Sequence, residues 1–85
     1  MGTVAAQVAL GSIYYFADEV PQDLGKASDL FMRAAESGDS YAMYAYGLMI
    51  VKGEVLFTER EVGIKWLKKA ADKGEQAAID LLKKL

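Results

Sequence analysis

The side chains able to start a reaction are few in this sequence. No histidine and no cysteine occurs among its 85 residues. That removes thiolate nucleophiles, imidazole bases and the usual transition-metal ligands together. Ser12, Ser28, Ser37 and Ser40 have no evident base to activate them. The carboxylate pairs Asp18/Glu19 and Glu59/Glu61 are of the type that does acid–base work. Each falls at a turn or a helix start, where an acid serves capping and the helix dipole. The glycines are spread along the chain, so no phosphate-cradling loop is present. The expectation is a protein without a catalytic, metal or cofactor site, and not an enzyme.

What remains is apolar surface, and helices must carry it. Tyr41–Val51 (YAMYAYGLMIV) holds no charge, with Asp39 before it and Lys52 after it. A helix apolar on every side is buried between neighbours or spans a membrane. A span needs roughly 20 apolar residues, so eleven point to the central rod of a helical layer. Tyr41, Tyr44, Leu48 and Val51 recur at i, i+3, i+7 and i+10. They form a stripe separate from Ala42, Tyr46 and Met49. Two and a half hairpins do not need that second stripe for their own core. Tyrosine suits a place where one end of a group is dry and the other wet.

The charge balance limits the partners. The net charge is −2, split as six acids and two bases over residues 1–48 and six acids and eight bases over 49–85. Asp72, Glu75 and Asp80 interrupt the late lysines, so no basic face for nucleic acid emerges. Met1–Ala17 is free of charge but lacks the positive start of a signal peptide and carries Gly11 in mid-run. It reads as a helix. The cysteine-free composition fits a reducing, cytoplasmic setting, expected to be bacterial.

The chain repeats itself at a lag of 36. Gly2, Gly38 and Gly74 form one series and Ala6, Ala42 and Ala78 another. Gly11 pairs with Gly47, and Ala34-Ala35 with Ala70-Ala71. Each unit reads as a helical hairpin. The first helix covers about Thr3–Ala17, with Ala6, Leu10, Ile13 and Tyr14 at helical spacing. Asp18–Pro21 breaks it, since proline disfavours helical geometry in the residue before. The second runs from about Gln22 to Ser37, with Ala27, Leu30, Phe31, Ala34 and Ala35 inward. Gly38 ends it, as glycine takes a positive φ without a Cβ clash.

Asp39 or Ser40 caps the third helix, which ends near Lys52-Gly53. Thr58-Glu59-Arg60-Glu61 has the spacing of a capping box. The fourth helix follows to Lys73, with Val62, Trp66, Leu67 and Ala70 inward. Glu75–Leu85 is a closing fifth helix that turns Ala78, Leu81 and Leu82 back. Gly11 and Gly47 sit in helix interiors at a cost of about 1 kcal/mol each relative to Ala. That cost makes sense where a partner helix comes close, with Leu30 and Trp66 filling the facing gap. The fold expected is all-α: a single α-solenoid domain over 1–85. It comprises two 36-residue hairpins (about 3–38 and 39–74) plus a closing helix (75–85), five helices in all.

The pattern resembles the Sel-one-like repeat, a relative of the tetratricopeptide repeat. The first unit supplies Ala6, Leu10, Gly11, Tyr14, Val20, Asp23, Lys26, Ala27, Phe31, Arg33, Ala34, Ala35 and Gly38. The second supplies Ala42, Gly47, Gly53, Trp66, Lys69, Ala70, Ala71 and Gly74. Ala17, Glu19 and Val55 replace linker glycines, Gly63 stands for Ala, and Ile50 for Tyr. The resemblance implies a scaffold or adaptor that binds protein on the concave side, which the first helix of each hairpin lines. The lining positions it implies are Ala5, Val8, Ser12 and Tyr15, then Tyr41, Tyr44, Leu48 and Val51, then Ala77, Asp80 and Lys84.

The leading expectation is therefore a non-catalytic module that holds a peptide or helix, with Tyr15, Tyr44, Leu48 and Val51 as anchors. Its partner is a protein or peptide, with no nucleic acid, membrane or cofactor. One alternative is self-association through Val4, Val8 and the opposite-signed halves of the chain, because the chain starts on an apolar helix without a polar cap. Another is a small inhibitor or immunity protein that blocks a basic toxin or enzyme with the acidic loop Asp18–Glu19–Asp23.

Overall fold

The computed structural model describes residues 3–16 and 22–85. Five helices run through them: α1 Val4–Phe16, α2 Leu24–Glu36, α3 Ser40–Val51, α4 Arg60–Asp72 and α5 Gln76–Lys84. No strand occurs among the described residues. Successive helices pack in chain order, α1 on α2, α2 on α3, α3 on α4 and α4 on α5, the layout of an all-α solenoid. None of them is long and apolar enough to cross a membrane. The break expected at Asp18–Pro21 lies outside the described residues.

The helix ends follow from local chemistry. The Asp23 carboxylate accepts from the Lys26 N–H at 2.9 Å, and Asp39 from the Ala42 N–H at 2.8 Å. Each satisfies an orphan donor of the first turn. Gly38 and Gly74 sit at φ 102° and 89°. Beyond them the Asp39 and Glu75 N–H groups reach back to the Ala34 and Ala70 carbonyls at 3.1 and 3.0 Å. The same C-terminal motif thus recurs 36 residues on, because only glycine takes this φ without strain. The capping box at Thr58 does not form. Glu59 is the N-cap and makes no side-chain cap bond. The Thr58 hydroxyl instead donates to the Leu56 carbonyl at 3.1 Å, after Phe57 turns the chain at φ 58°.

The core lies where the charge-free stretch demanded it. Ala42, Met43, Ala45, Tyr46, Gly47, Met49 and Ile50 of α3 are all buried. They meet Ala27, Phe31, Ala34 and Ala35 from α2, Leu67 and Ala70 from α4, and Ala78 from α5. The first helix departs from this. Ala42, Tyr46 and Met49 are 0%, 9% and 2% exposed, but Leu10 and Ile13, their counterparts 36 residues earlier, are 43% and 48% exposed. Ala6 is exposed as well. In α3 these positions lie against α2, whereas no helix of the structure covers them in α1.

The glycines mark the closest helix crossing. A Cβ built on Gly47 would lie 2.8 Å from the Gly63 carbonyl oxygen, and one on Gly63 would lie 2.8 Å from that of Gly47. The α3 and α4 backbones touch there. Gly63, a departure from the repeat pattern, is thus the second half of this contact. A Cβ on Gly11 would meet Phe31 at 3.1 Å and the expected Leu30 at 3.4 Å, whereas the side chain that closes on Gly47 is Leu67, one residue beyond Trp66. Phe31 and Leu67 are buried, while Trp66 is half-buried and stacks edge-on with Tyr46 at 5.9 Å. Val62, expected inward, is exposed, since α4 turns Gly63 and Leu67 toward α3 instead.

Gly47→Ala or Gly63→Ala should each destabilise the protein by about 1–3 kcal/mol through overpacking. Elsewhere in a helix interior the same change gains about 1 kcal/mol. Gly25→Ala is the control: its Cβ would meet only the Asp23 carboxylate, at 3.5 Å. It should stabilise by about 0.5–1 kcal/mol. Urea unfolding of the three variants checks the contrast, and a stabilised Gly47→Ala would contradict the crossing.

Candidate functional site: a groove between α1 and α3

Tyr15 and Phe16 at the end of α1 face Tyr41, Tyr44, Ala45, Leu48 and Met49 of α3 across an open pocket of about 80 Å³. The helical spacing of Tyr41, Tyr44 and Leu48 puts them on one side of α3. The Tyr41 and Tyr44 rings lie 5.8 Å apart, and Phe16 stands edge-on to Tyr15 at 4.6 Å. The lining is therefore mostly aromatic and aliphatic, with tyrosine hydroxyls as its polar groups. Such a surface suits an apolar anchor that brings a few hydrogen bonds.

A polar network holds the Tyr15 wall. The Tyr15 hydroxyl donates to the Glu54 carboxylate at 2.6 Å and accepts from the Lys52 ammonium at 2.8 Å. Lys52 also lies 3.6 Å from Glu54 and 5.4 Å from the Tyr15 ring centre. These bonds tie the end of α1 to the turn after α3. Burial, and then the hydrogen bond to Glu54, push the Tyr15 hydroxyl above its ordinary value, with Lys52 opposing. The bond to Tyr15 likewise raises Lys52. At the far end, burial followed by the neighbouring Tyr44 and Glu75 raises Tyr41. Glu75 accepts there from the Ser40 hydroxyl at 3.3 Å.

Of the residues singled out in the sequence, the pocket gathers Tyr15, Tyr41, Tyr44 and Leu48. Val8 and Val51 are half-buried against the core and do not line it. Ser12 is half-buried, and its hydroxyl donates to the Val8 carbonyl at 3.0 Å. Asp80 and Lys84 are exposed on α5, away from the pocket, with Asp80 accepting from Gln76 at 2.9 Å. Phe16, Ala45 and Met49 join the lining unforeseen. Phe16 follows an expected anchor in the chain, which was the only signal for it. The Lys52–Tyr15–Glu54 network spans 37 and 39 positions and left no local pattern. Asp23 of the acidic loop is occupied as a helix cap, and Asp18 and Glu19 lie outside the described residues. No group of three or more potential metal ligands comes together among the described residues.

The family model described as Sel1 repeat matches residues 4–39 and 40–75. The crystal structure of a Sel1 repeat protein from Oxalobacter formigenes superposes over 99% of this chain at a TM-score of 0.89 and 30% identity. A protective antigen of uropathogenic Escherichia coli strains, which displays an SLR fold, does so over 91% at 0.84 and 30% identity. The chain spans 63% of the length of the first and 16% of the second. No curated protein matches it.

The raised tyrosine and lysine values have a definite sign. A group that binds its proton more tightly when folded stabilises the fold below its unfolded value, and that contribution disappears as the pH rises through the folded one. The ordinary values are 10.0 for Tyr15 and 10.5 for Lys52. Thermal stability should therefore hold through neutral pH and fall as the pH rises past them. Tyr15→Phe should flatten that fall, as melting curves taken across the alkaline range would show. An equally steep loss in the variant would contradict the network.

Proposed function

Because the chain belongs to the Sel1 repeat family, we propose that it is a non-catalytic protein-interaction module whose groove between α1 and α3 takes a peptide or a helix. Repeats of this family generally mediate protein–protein contacts. The finer reading rests on one observation. Tyr15 and Phe16 converge with Tyr41, Tyr44 and Leu48 from a different hairpin on an open apolar pocket. Tyr41 is exposed, and Tyr44 and Leu48 are half-buried, so part of their surface is left for a partner. Aromatic anchors in a concave site carry most of the affinity in such contacts.

Lys52 and Glu54 give the groove one polar end that is charged with both signs, while Glu75 marks the other with a carboxylate. An occupant of matching chemistry presents one or two large apolar side chains in the middle and a base toward Glu75. The Tyr15 network fixes one wall before binding, which lowers the ordering cost of association.

Peptides selected by display against the wild-type chain provide the test. Tyr44→Ala and Leu48→Ser should weaken such binders by about tenfold or more each. Both variants should keep their helical signal and melt cooperatively. Unchanged binding would place recognition elsewhere, and loss of folding in both would assign these side chains to the core.

A further inference from the structure

The turn between α3 and α4 holds the most exposed large apolar side chains of the described residues. Leu56 is 78% exposed and Phe57 fully so. Phe57 also sits at φ 58°, in the left-handed region that a bulky side chain rarely enters. The chain thus accepts backbone strain to hold an aromatic ring in water. Such strain persists where the surroundings fix it, and it collects at binding and switch segments. Three residues on, Arg60 opens α4, exposed and with no ion pair among the described residues. Glu59 and Glu61 flank it and are exposed as well.

This segment carries the chemistry that fits the groove: two large apolar side chains with a base close behind, for a site with an aromatic middle and the Glu75 carboxylate at one end. It does not reach its own groove. Leu56 lines a separate cleft with Leu24, Gly25 and Ser28 of α2, whereas the groove lies between α1 and α3. Glu54 at the root of the turn accepts from the Tyr15 hydroxyl at 2.6 Å, and its N–H donates to the Met49 carbonyl at 2.8 Å. Those bonds tie the turn down outside the groove. We propose that a second copy of this chain inserts its Leu56 and Phe57 into the groove and sets its Arg60 toward Glu75. Reciprocal insertion about a two-fold axis closes a dimer with two such contacts. The proposal rests on the reading of the groove as a binding site and names its occupant. Val4 and Val8, which the sequence suggested for self-association, take no part, since they are half-buried against the chain's own core.

An isotope-labelled Phe57→Asp chain keeps the groove and loses the ring. It should fold as the wild type does, because aspartate tolerates a positive φ. Phe57→Gly serves equally, since glycine takes this φ freely. Unlabelled wild type is added to the labelled variant up to about 1 mM, a range that reaches weak contacts, and amide spectra are followed. The signals of Tyr41, Tyr44 and Leu48 should shift and saturate. Unlabelled Phe57→Asp added instead should bind at least about tenfold more weakly, and Arg60→Gln in the added chain should weaken binding as well. Wild type that shifts no groove signal would overturn the proposal, as would equal shifts from the added Phe57→Asp chain or shifts confined to residues outside the groove. Peptides selected by display separate the two readings. If they bind Phe57→Asp through Tyr44 and Leu48 while added wild type does not, the groove serves another protein and the second copy is excluded. If they bind without regard to Tyr44 and Leu48, the groove reading itself fails.

Discussion

Two glycines let the α3 and α4 backbones touch, and much of the molecule is arranged around that contact. Each glycine's missing Cβ is the space that the other's carbonyl approaches, at 2.8 Å in both directions. Bringing α4 this close lets Leu67 seal the crossing and leaves Trp66 half outside against Tyr46. It also fixes which side of α3 is used up by packing. The side bearing Tyr41, Tyr44 and Leu48 then remains for the groove. In the first hairpin a Cβ on Gly11 would lie 3.1 Å from the Phe31 ring edge, a softer approach because a side chain gives way more readily than a backbone.

The 36-residue period is a period of backbone geometry more than of environment. The C-terminal motif at Gly38 recurs at Gly74 down to its hydrogen bonds, since it depends only on local conformation. Burial does not recur, because it depends on what lies next door. Ala42 and Tyr46 have α2 against them, while Ala6 and Leu10 have no helix of the structure on the same side. Repeats contact only their neighbours, so the ends of a solenoid always differ from its middle. Helices α1 and α5 also differ from each other: α1 exposes Leu10 and Ile13, and α5 carries the exposed Lys83 at the position where the hairpins use glycine.

This explains what the sequence could and could not tell. Helix limits at Asp23, Gly38, Asp39, Gly53 and Gly74 were legible to within a few residues, because glycine and aspartate act locally and leave their mark in place. The central role of α3 was legible from the absence of charge across eleven residues. Most of the failures were non-local. Gly63 looked like a lapse in the pattern and proved to be half of the tightest contact. Thr58 had the right spacing for a cap, yet its hydroxyl went to the Leu56 carbonyl in a turn that no helical period describes. In the groove, the stripe on α3 could be read from its period. Phe16 and the Lys52–Tyr15–Glu54 network could not, because they depend on how the end of α1 meets the turn after α3.

The backbone crossing can be observed directly in solution by nuclear Overhauser spectroscopy on isotope-labelled protein. The crossing sets Gly47 against the Leu67 side chain and Gly63 against that of Ile50. Strong cross-peaks from the Gly47 α-protons to the Leu67 methyl groups and from the Gly63 α-protons to the Ile50 γ2 methyl group are the expected result. Their absence from a folded sample that still shows the α1–α2 contacts of Gly11 with Phe31 would mean that α3 and α4 are held apart, and the account of how the groove is made would be wrong.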